Sequence, residues 1–457
     1  MAYQSINPAT GELNKSFPNH SDADVKSALA AAHTLYKSDW SKGPRQPRLD
    51  LLLRFANLVE ERSEELARVL VKDMGKRISE ARFEVQVTAD IARYYGENGD
   101  RFLAPQQLKT PKGKTWVEYH PVGVLVAVEP WNFPFYQLIR VAAPAIAVGN
   151  PVLAKHASNV PLSAVAFEEL MTAAGAPRGA WTNLFASGDQ IAALIADDRV
   201  QGVTLTGSEK AGSIVAAQAA KYLKKSVLEL GGADALIVLD DADLDLAVSE
   251  AERGRLYVAG QACNAMKRFI VHKNVANKFL DKLTTAFAAT RVGDPMDETV
   301  GMGPLSSHGA RDDIAGQVER AVKAGATLHY GGKIIDGPGA FYMPTILTNV
   351  ARDNPAYFEE FFGPVAQVHV VQDDDEAVEL ANDSHFGLSG AVFTSDVARG
   401  TALAARIETG SVWINARSQT APELPFGGVK RSGYGRELSE FGIREFANMK
   451  MVAVSNG

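Results

Sequence analysis

Cys263 is the only cysteine in the chain, and it sits in the segment GQACNAMKRF. A thiol attacks carbon as the thiolate, and at an unperturbed pKa of about 8.5 only a small fraction is ionised at neutral pH. Catalysis would need a loop that surrounds the sulfur with N–H donors or positive charge. Gly260, three residues earlier, permits the tight turn such a loop requires. The alternative is an inert small hydrophobe, the commoner fate of a lone cysteine. With one thiol no disulfide closes within the chain, and the nine histidines show no HxxxH or HxxE pairing, so no metal site is expected.

Two other residues have types suited to work with a thiolate. Glu229 lies 34 residues upstream (263 − 229 = 34), in VLELGGAD, at the end of an apolar run and just before two glycines. A glutamate is an odd residue for a core strand. It either reaches solvent at the strand end or, partly buried, acts as a general base whose pKa is raised toward neutrality. Asn132 is boxed into Pro-Trp-Asn-Phe-Pro. It is either a turn residue or a rigid amide donor to a developing oxyanion, an effect of about 2.7–4 kcal/mol where one such donor is lost.

These three residues need elements to hold them. Residues 22–36 and 46–74 carry apolar positions at helical spacing. Near Thr115 the texture becomes alternating and then apolar, through WVEYHPVGVLVAVEPWNFP. Strand and helix signals then alternate: a strand at 152–155, a helix at 161–174, a strand at 202–205 and a helix at 209–222. A second alternating stretch runs from Val227 through LELGGADALIVLD and KRFIVH to WINAR. This rhythm predicts βαβ units, two α/β regions with parallel sheets, and ligands at the carboxyl ends of strands and between the regions.

Hydrophobic residues make up 46% and charged residues 22%, the balance of a soluble globular protein. The net charge of −7 is dispersed, so neither nucleic acid nor an anionic membrane is an expected partner. Apolar runs such as 122–128 fall short of a bilayer crossing, and MAYQSINPATGE lacks the features of a signal peptide. A cytoplasmic location is expected.

Taken together, the segments resemble the aldehyde dehydrogenase superfamily nearly end to end. INPATGE, EPWNFP, LTGS, LELGG, GQAC, FGPV and PFGGVKRSGYGRE follow in that family's order and at its approximate spacing. The resemblance implies that Cys263 attacks an aldehyde, with Asn132 and the Cys263 N–H holding the oxyanion. Hydride transfer to NAD or NADP then leaves a thioester, and Glu229 activates water to release the acid. Glu437, in GYGRELSE, matches a glutamate that assists proton transfer; otherwise it is a helix N-terminal residue satisfying the dipole. Gly207, Ser208 and Gly212 match the turn and helix that meet the pyrophosphate. Glu360 and Phe362 match residues at the nicotinamide ribose, Lys155 a residue at the adenosine ribose, and Trp131 and Leu230 complete the implied cofactor site.

The chain departs from the commonest pattern at Ser158, where many NAD-dependent members carry a glutamate. Loss of that carboxylate admits a 2′-phosphate, and Lys155 supplies positive charge, so NADP is accommodated. Among family members the chain is most similar to short bacterial succinate-semialdehyde dehydrogenases, which have an arginine at the position of Arg140 that pairs with the substrate carboxylate. Arg140 is alternatively paired with a glutamate of a neighbouring helix. Tyr257 stands where some of these enzymes have a second arginine, and Arg417, in WINARSQT, is a substitute for it. The implied substrate is succinate semialdehyde; the alternatives are glutarate semialdehyde, an uncharged aliphatic aldehyde, or transfer of the thioester to CoA.

The resemblance implies an α/β architecture with a Rossmann-type cofactor domain over 1–103 and 121–231 and a catalytic domain over 232–430. Residues 104–120 and 445–457 form an oligomerisation element that includes a β-hairpin, and 431–444 return to the active-site side. A homodimer or homotetramer is expected.

Overall fold

The computed structural model describes residues 3–455. Residues 1–2 and 456–457, the outer ends of the expected ranges 1–103 and 445–457, lie outside the described residues. Of the five sheets among the described residues, the three largest organise the fold. The first has six strands in the spatial order Gly433–Tyr434, Lys225–Glu229, Val200–Thr206, Val124–Glu129, Val152–His156, Trp181–Asn183. All neighbours are parallel except the first pair. The chain starts this sheet at Val124–Glu129, winds outward to one side, then returns to the other. EPWNFP and TGS therefore leave the carboxyl ends of adjacent strands at the point where the winding reverses, where an α/β sheet opens a crevice.

The second sheet has seven strands in the order Thr327–Tyr330, Thr345–Thr348, Val365–Val371, Met266–His272, Asp234–Val238, Ser389–Phe393, Ser411–Ile414, antiparallel only at its first pair. The four residues Leu230 to Ala233 link the two sheets directly. The carboxyl edge of the first sheet therefore meets the amino edge of the second. Cys263 precedes Met266–His272, so its loop lies at an amino edge, whereas Asn132, Glu229 and the segments assigned to the cofactor follow the expected carboxyl-end placement. Ala447–Val454, Lys114–Pro121 and Gln106–Leu108 make the third sheet, antiparallel throughout.

Helices Gln46–Glu61, Ile78–Phe102 and Pro134–Val148 pack together, burying Phe55, Ile91, Tyr95 and Ile139. The predicted helix over 46–74 is two helices, broken at Arg62, whose φ and ψ of −103° and 17° are not helical. A second core, with Leu236, Phe269, Phe279 and Phe361, underlies the seven-stranded sheet. Among the described residues no helix is long and apolar enough to cross a membrane.

Candidate active site

Helix Leu244–Leu256 ends in a left-handed run, with φ of 50°, 53° and 76° at Val258, Ala259 and Gly260. A β-branched residue rarely adopts that conformation, so neighbours must hold it. The Val258 N–H donates to Glu80 Oε1 at 3.0 Å, and Arg255 Nη2 donates to the Gly260 carbonyl at 2.5 Å. A Cβ on Gly260 would lie 2.3 Å from the Gly363 carbonyl oxygen, so only glycine fits. Gln261, fully buried, accepts from the Ser306 N–H and donates to the Val258 carbonyl. The loop is therefore rigid by the time it reaches Cys263, a half-buried residue. Burial pushes that thiol up to about 12, against the pull of Lys267 and Arg140.

Asn132 is brought to the same loop. Its side-chain Nδ2 donates to the Gln261 carbonyl at 3.0 Å, leaving its second amide proton for another acceptor. Its own carbonyl accepts from Lys76 Nζ at 3.0 Å. Lys76 forms a fully buried ion pair with Glu84, and Glu84 Oε1 accepts the N–H groups of Phe135 and Tyr136 at the start of helix Pro134–Val148. One buried pair thus fixes both the asparagine and the helix that follows it.

Glu229 ends its strand 1% exposed, and neither carboxyl oxygen has a hydrogen-bond partner. A buried group without a partner calls for an explanation, and a position for water is the ready one. Burial, then the nearby Glu437, drives its pKa well up, while Arg140 opposes. Glu129 and Glu437 are also buried and also raised, chiefly by burial. Glu437 is not a dipole-capping residue: its Oε2 pairs with Arg140 Nη2 at 2.5 Å, and Thr204 Oγ1 lies 3.5 Å from Oε1. The two residues assigned separately by resemblance, Arg140 to substrate and Glu437 to proton transfer, are partners here. Burial works against the Arg140 charge, but Glu437, Tyr136 and Glu229 together outweigh it and hold the guanidinium protonated. The Arg140 guanidinium also lies 4.8 Å from each of the Tyr136 and Phe426 ring centroids, and its Nε has no partner.

A cavity of about 610 Å³ joins Cys263, Arg140, Tyr257 and Arg417, with Phe133 in its wall. Tyr257 stacks on Phe133 at 5.8 Å, and Arg417 sits 5.9 Å from the Tyr257 ring. Arg417 is half-buried, and its nearest carboxylate, Glu250, is 3.8 Å away. It is a looser cation than Arg140.

The residues assigned to a cofactor line the edge of the first sheet. Ser208 caps helix Glu209–Lys221, its Oγ accepting the Ala211 N–H at 3.3 Å, and Gly207 N–H bonds the Glu229 carbonyl at 2.9 Å. A Cβ on Gly212 would fall 2.6 Å from Leu230, so glycine lets that helix sit close to the strand. Lys155, next to last in strand Val152–His156, is half-buried with its pKa lowered by burial, and Ser158 follows with its carbonyl bonded to the Gln4 N–H. Trp131 and Phe362 meet edge to face at 5.7 Å. Glu360 accepts the Gly232 N–H at 3.0 Å, and a Cβ on Gly231 would lie 2.4 Å from its Oε2. A capped helix start, close-approach glycines and a carboxylate at one crevice fit a dinucleotide.

Sequence reasoning missed Lys76, Glu80, Glu84, Glu129, Arg255 and Lys267. The signal for Glu129 was present, as a charge closing the apolar run VLVAV. The others announce nothing locally.

Comparison with known proteins agrees with this geometry. The profile of the aldehyde dehydrogenase family matches residues 1–452. A protein of Deinococcus radiodurans named succinate-semialdehyde dehydrogenase [NADP(+)] is 48% identical over 98% of this chain and 94% of its own. The crystal structure of succinic semialdehyde dehydrogenase from Streptococcus pyogenes, in complex with NADP+, superposes with a TM-score of 0.98 at 47% identity, covering 100% of both chains. Betaine aldehyde dehydrogenase from Staphylococcus aureus, in complex with NAD+, superposes with a TM-score of 0.95 at 31% identity, over 99% of this chain and 91% of that one. Matched over nearly its whole length, with the Cys263 loop, Asn132 and the Gly207–Ser208 turn carried on the same scaffold, this chain belongs to the aldehyde dehydrogenase family.

Proposed function

We propose that the protein oxidises succinate semialdehyde to succinate with NADP. The observation that carries this reading is the shared cavity, whose wall holds a thiol together with two arginines that can receive a terminal carboxylate. Cys263 Sγ adds to the aldehyde carbon, and the oxygen takes up negative charge facing the free Asn132 amide proton and the Cys263 N–H. Bound NADP supplies the acceptor for the hydride, so that the adduct becomes a thioester. Glu229 removes a proton from water, and the hydroxide expels the thiolate and frees the acid. Burial raises its pKa above that of an exposed glutamate, which makes its carboxylate a stronger base. Ser208, Gly212, Lys155 and Glu360 would hold the dinucleotide, with Lys155 and Ser158 receiving the 2′-phosphate.

Steady-state kinetics over succinate semialdehyde, glutarate semialdehyde and butanal, with NADP and NAD, test this. The semialdehyde of succinate should have the highest kcat/KM, and only with NADP. Ser158→Glu should raise KM for NADP about tenfold or more by like-charge repulsion while improving NAD. Equal use of butanal, or indifference to Ser158→Glu, counts against the substrate or the cofactor assignment respectively.

The division of labour follows the family: cofactor binding by 1–103 and 121–231, chemistry by 232–430, the return of 431–444 to the site, and a cytoplasmic location. Assembly as a homodimer or homotetramer would run through the third sheet. Its edge strand Ala447–Val454 exposes Met449, Met451 and Val454, an unpaired apolar edge that a soluble chain is expected to cover. Light scattering should give two or four times the 49.0 kDa subunit mass, and Met451→Lys should lower it; a monomeric wild type would end this reading.

A further inference from the structure

Lys267 stands four residues past the nucleophile and is buried, with its side chain 2% exposed. A buried ammonium is costly unless all three protons are satisfied. Here each finds an oxygen: the carbonyls of Ala262 at 3.1 Å and Cys263 at 2.6 Å, and Glu360 Oε1 at 3.0 Å. One side chain thus ties the two peptides at the nucleophile to a carboxylate in the cofactor crevice. Among the described residues the Glu360 carboxylate is otherwise held by the Gly232 N–H, at 3.0 Å, and it lies at the crevice with its side chain 19% exposed.

The geometry points to Lys267 as a positioning residue that holds the Cys263 loop and supplies positive charge to the thiolate, with Glu360 setting how much of that charge the sulfur feels. The charged groups facing the thiol from the surrounding elements are Lys267, Arg140, Glu229 and Glu360. Arg140 is already committed to Glu437, and Glu229 is driven toward its neutral form by burial. The balance therefore rests on Lys267 against Glu360. A ligand hydroxyl that donates to Glu360 spreads its negative charge and weakens its hold on Lys267. The ammonium is then left freer to stabilise the thiolate, and nucleophile activation becomes coupled to occupation of the crevice.

This inference rests on Cys263 being the nucleophile, and the single cysteine makes it measurable without turnover. Iodoacetamide labelling of the cofactor-free enzyme across pH reports the Cys263 thiolate alone. Lys267→Met should raise the apparent thiol pKa and slow labelling at neutral pH about tenfold, the change expected for one pKa unit. Lys267→Arg, which keeps the charge, should stay near wild type, and Glu360→Gln should move the profile the opposite way, to faster labelling. A purely structural role for Lys267 would lower Tm and kcat without moving the profile. If Lys267→Met does not fold, Glu360→Gln decides alone, and an unchanged profile there overturns the proposal. Whether loss of aldehyde oxidation keeps step with labelling tests the role of Cys263 separately.

Discussion

Glu229→Gln is expected to produce one equivalent of reduced cofactor per subunit and then nearly stop. The substitution keeps shape and removes the base. Attack by Cys263 and loss of hydride do not call on Glu229, so the first turnover proceeds to the thioester. Hydrolysis then lacks proton abstraction, a contribution of about 10²–10⁴-fold in rate. Because both Glu229 oxygens are buried without partners, the amide meets no lost ion pair, and folding should be spared. Rapid-quench or stopped-flow absorbance gives the burst, and intact mass gives the acyl adduct on the single cysteine. A steady-state rate within a factor of two of wild type, or a loss of the burst itself, would remove Glu229 from the hydrolytic step. Hydroxylamine, a nucleophile that needs no base, should restore turnover.

That Glu229, Asn132 and Cys263 were legible follows from their being carried by short, ordered segments whose residue types are unusual for their setting. A glutamate closing a strand, an asparagine between two prolines, and a glycine ahead of a lone cysteine each admit a structural role alone; their order and spacing together tip the reading toward chemistry. The strand and helix rhythm from Val124 onward was legible for a similar reason, since period and length are local properties. What escaped is what depends on two distant segments at once. Nothing near Lys76 indicates that it pairs with Glu84 and holds the Asn132 carbonyl. Nothing near Val258 indicates a left-handed backbone, which its β-branched side chain disfavours and which only Glu80 and Arg255 make tenable. Lys267 reads as an ordinary strand-start lysine until the fold sets Glu360 against it. Arg140 was visible as an anomaly in an apolar helix, yet its partner lies 297 residues on (437 − 140 = 297), beyond the reach of any periodicity.

Arg140→Ala is expected to cost both stability and substrate affinity, and the two losses separate by pH. Arg140 faces Glu129, Glu229 and Glu437, and it lowers the pKa of all three against burial. Without it Glu437 loses its buried ion pair, a loss of about 3–5 kcal/mol where one member of such a pair is removed. The carboxyls respond by holding their protons more tightly. A carboxyl whose folded pKa exceeds its unfolded value, about 4.3 for glutamate, keeps its proton in the native state while the unfolded chain releases one. Stability therefore falls as pH rises from the unfolded pKa toward the folded one. The Tm deficit of Arg140→Ala should be smallest near the unfolded glutamate pKa of about 4.3 and widen as pH rises above it. Arg417→Ala removes a half-buried cation whose carboxylate partner is 3.8 Å away, and its stability cost should stay below about 1 kcal/mol at every pH. Both variants should raise KM for succinate semialdehyde and leave butanal little changed if the two arginines share the carboxylate. If Arg140→Ala instead weakens both aldehydes alike while Arg417→Ala hits only the charged one, Arg140 is committed to the carboxyl cluster and Arg417 alone selects the substrate.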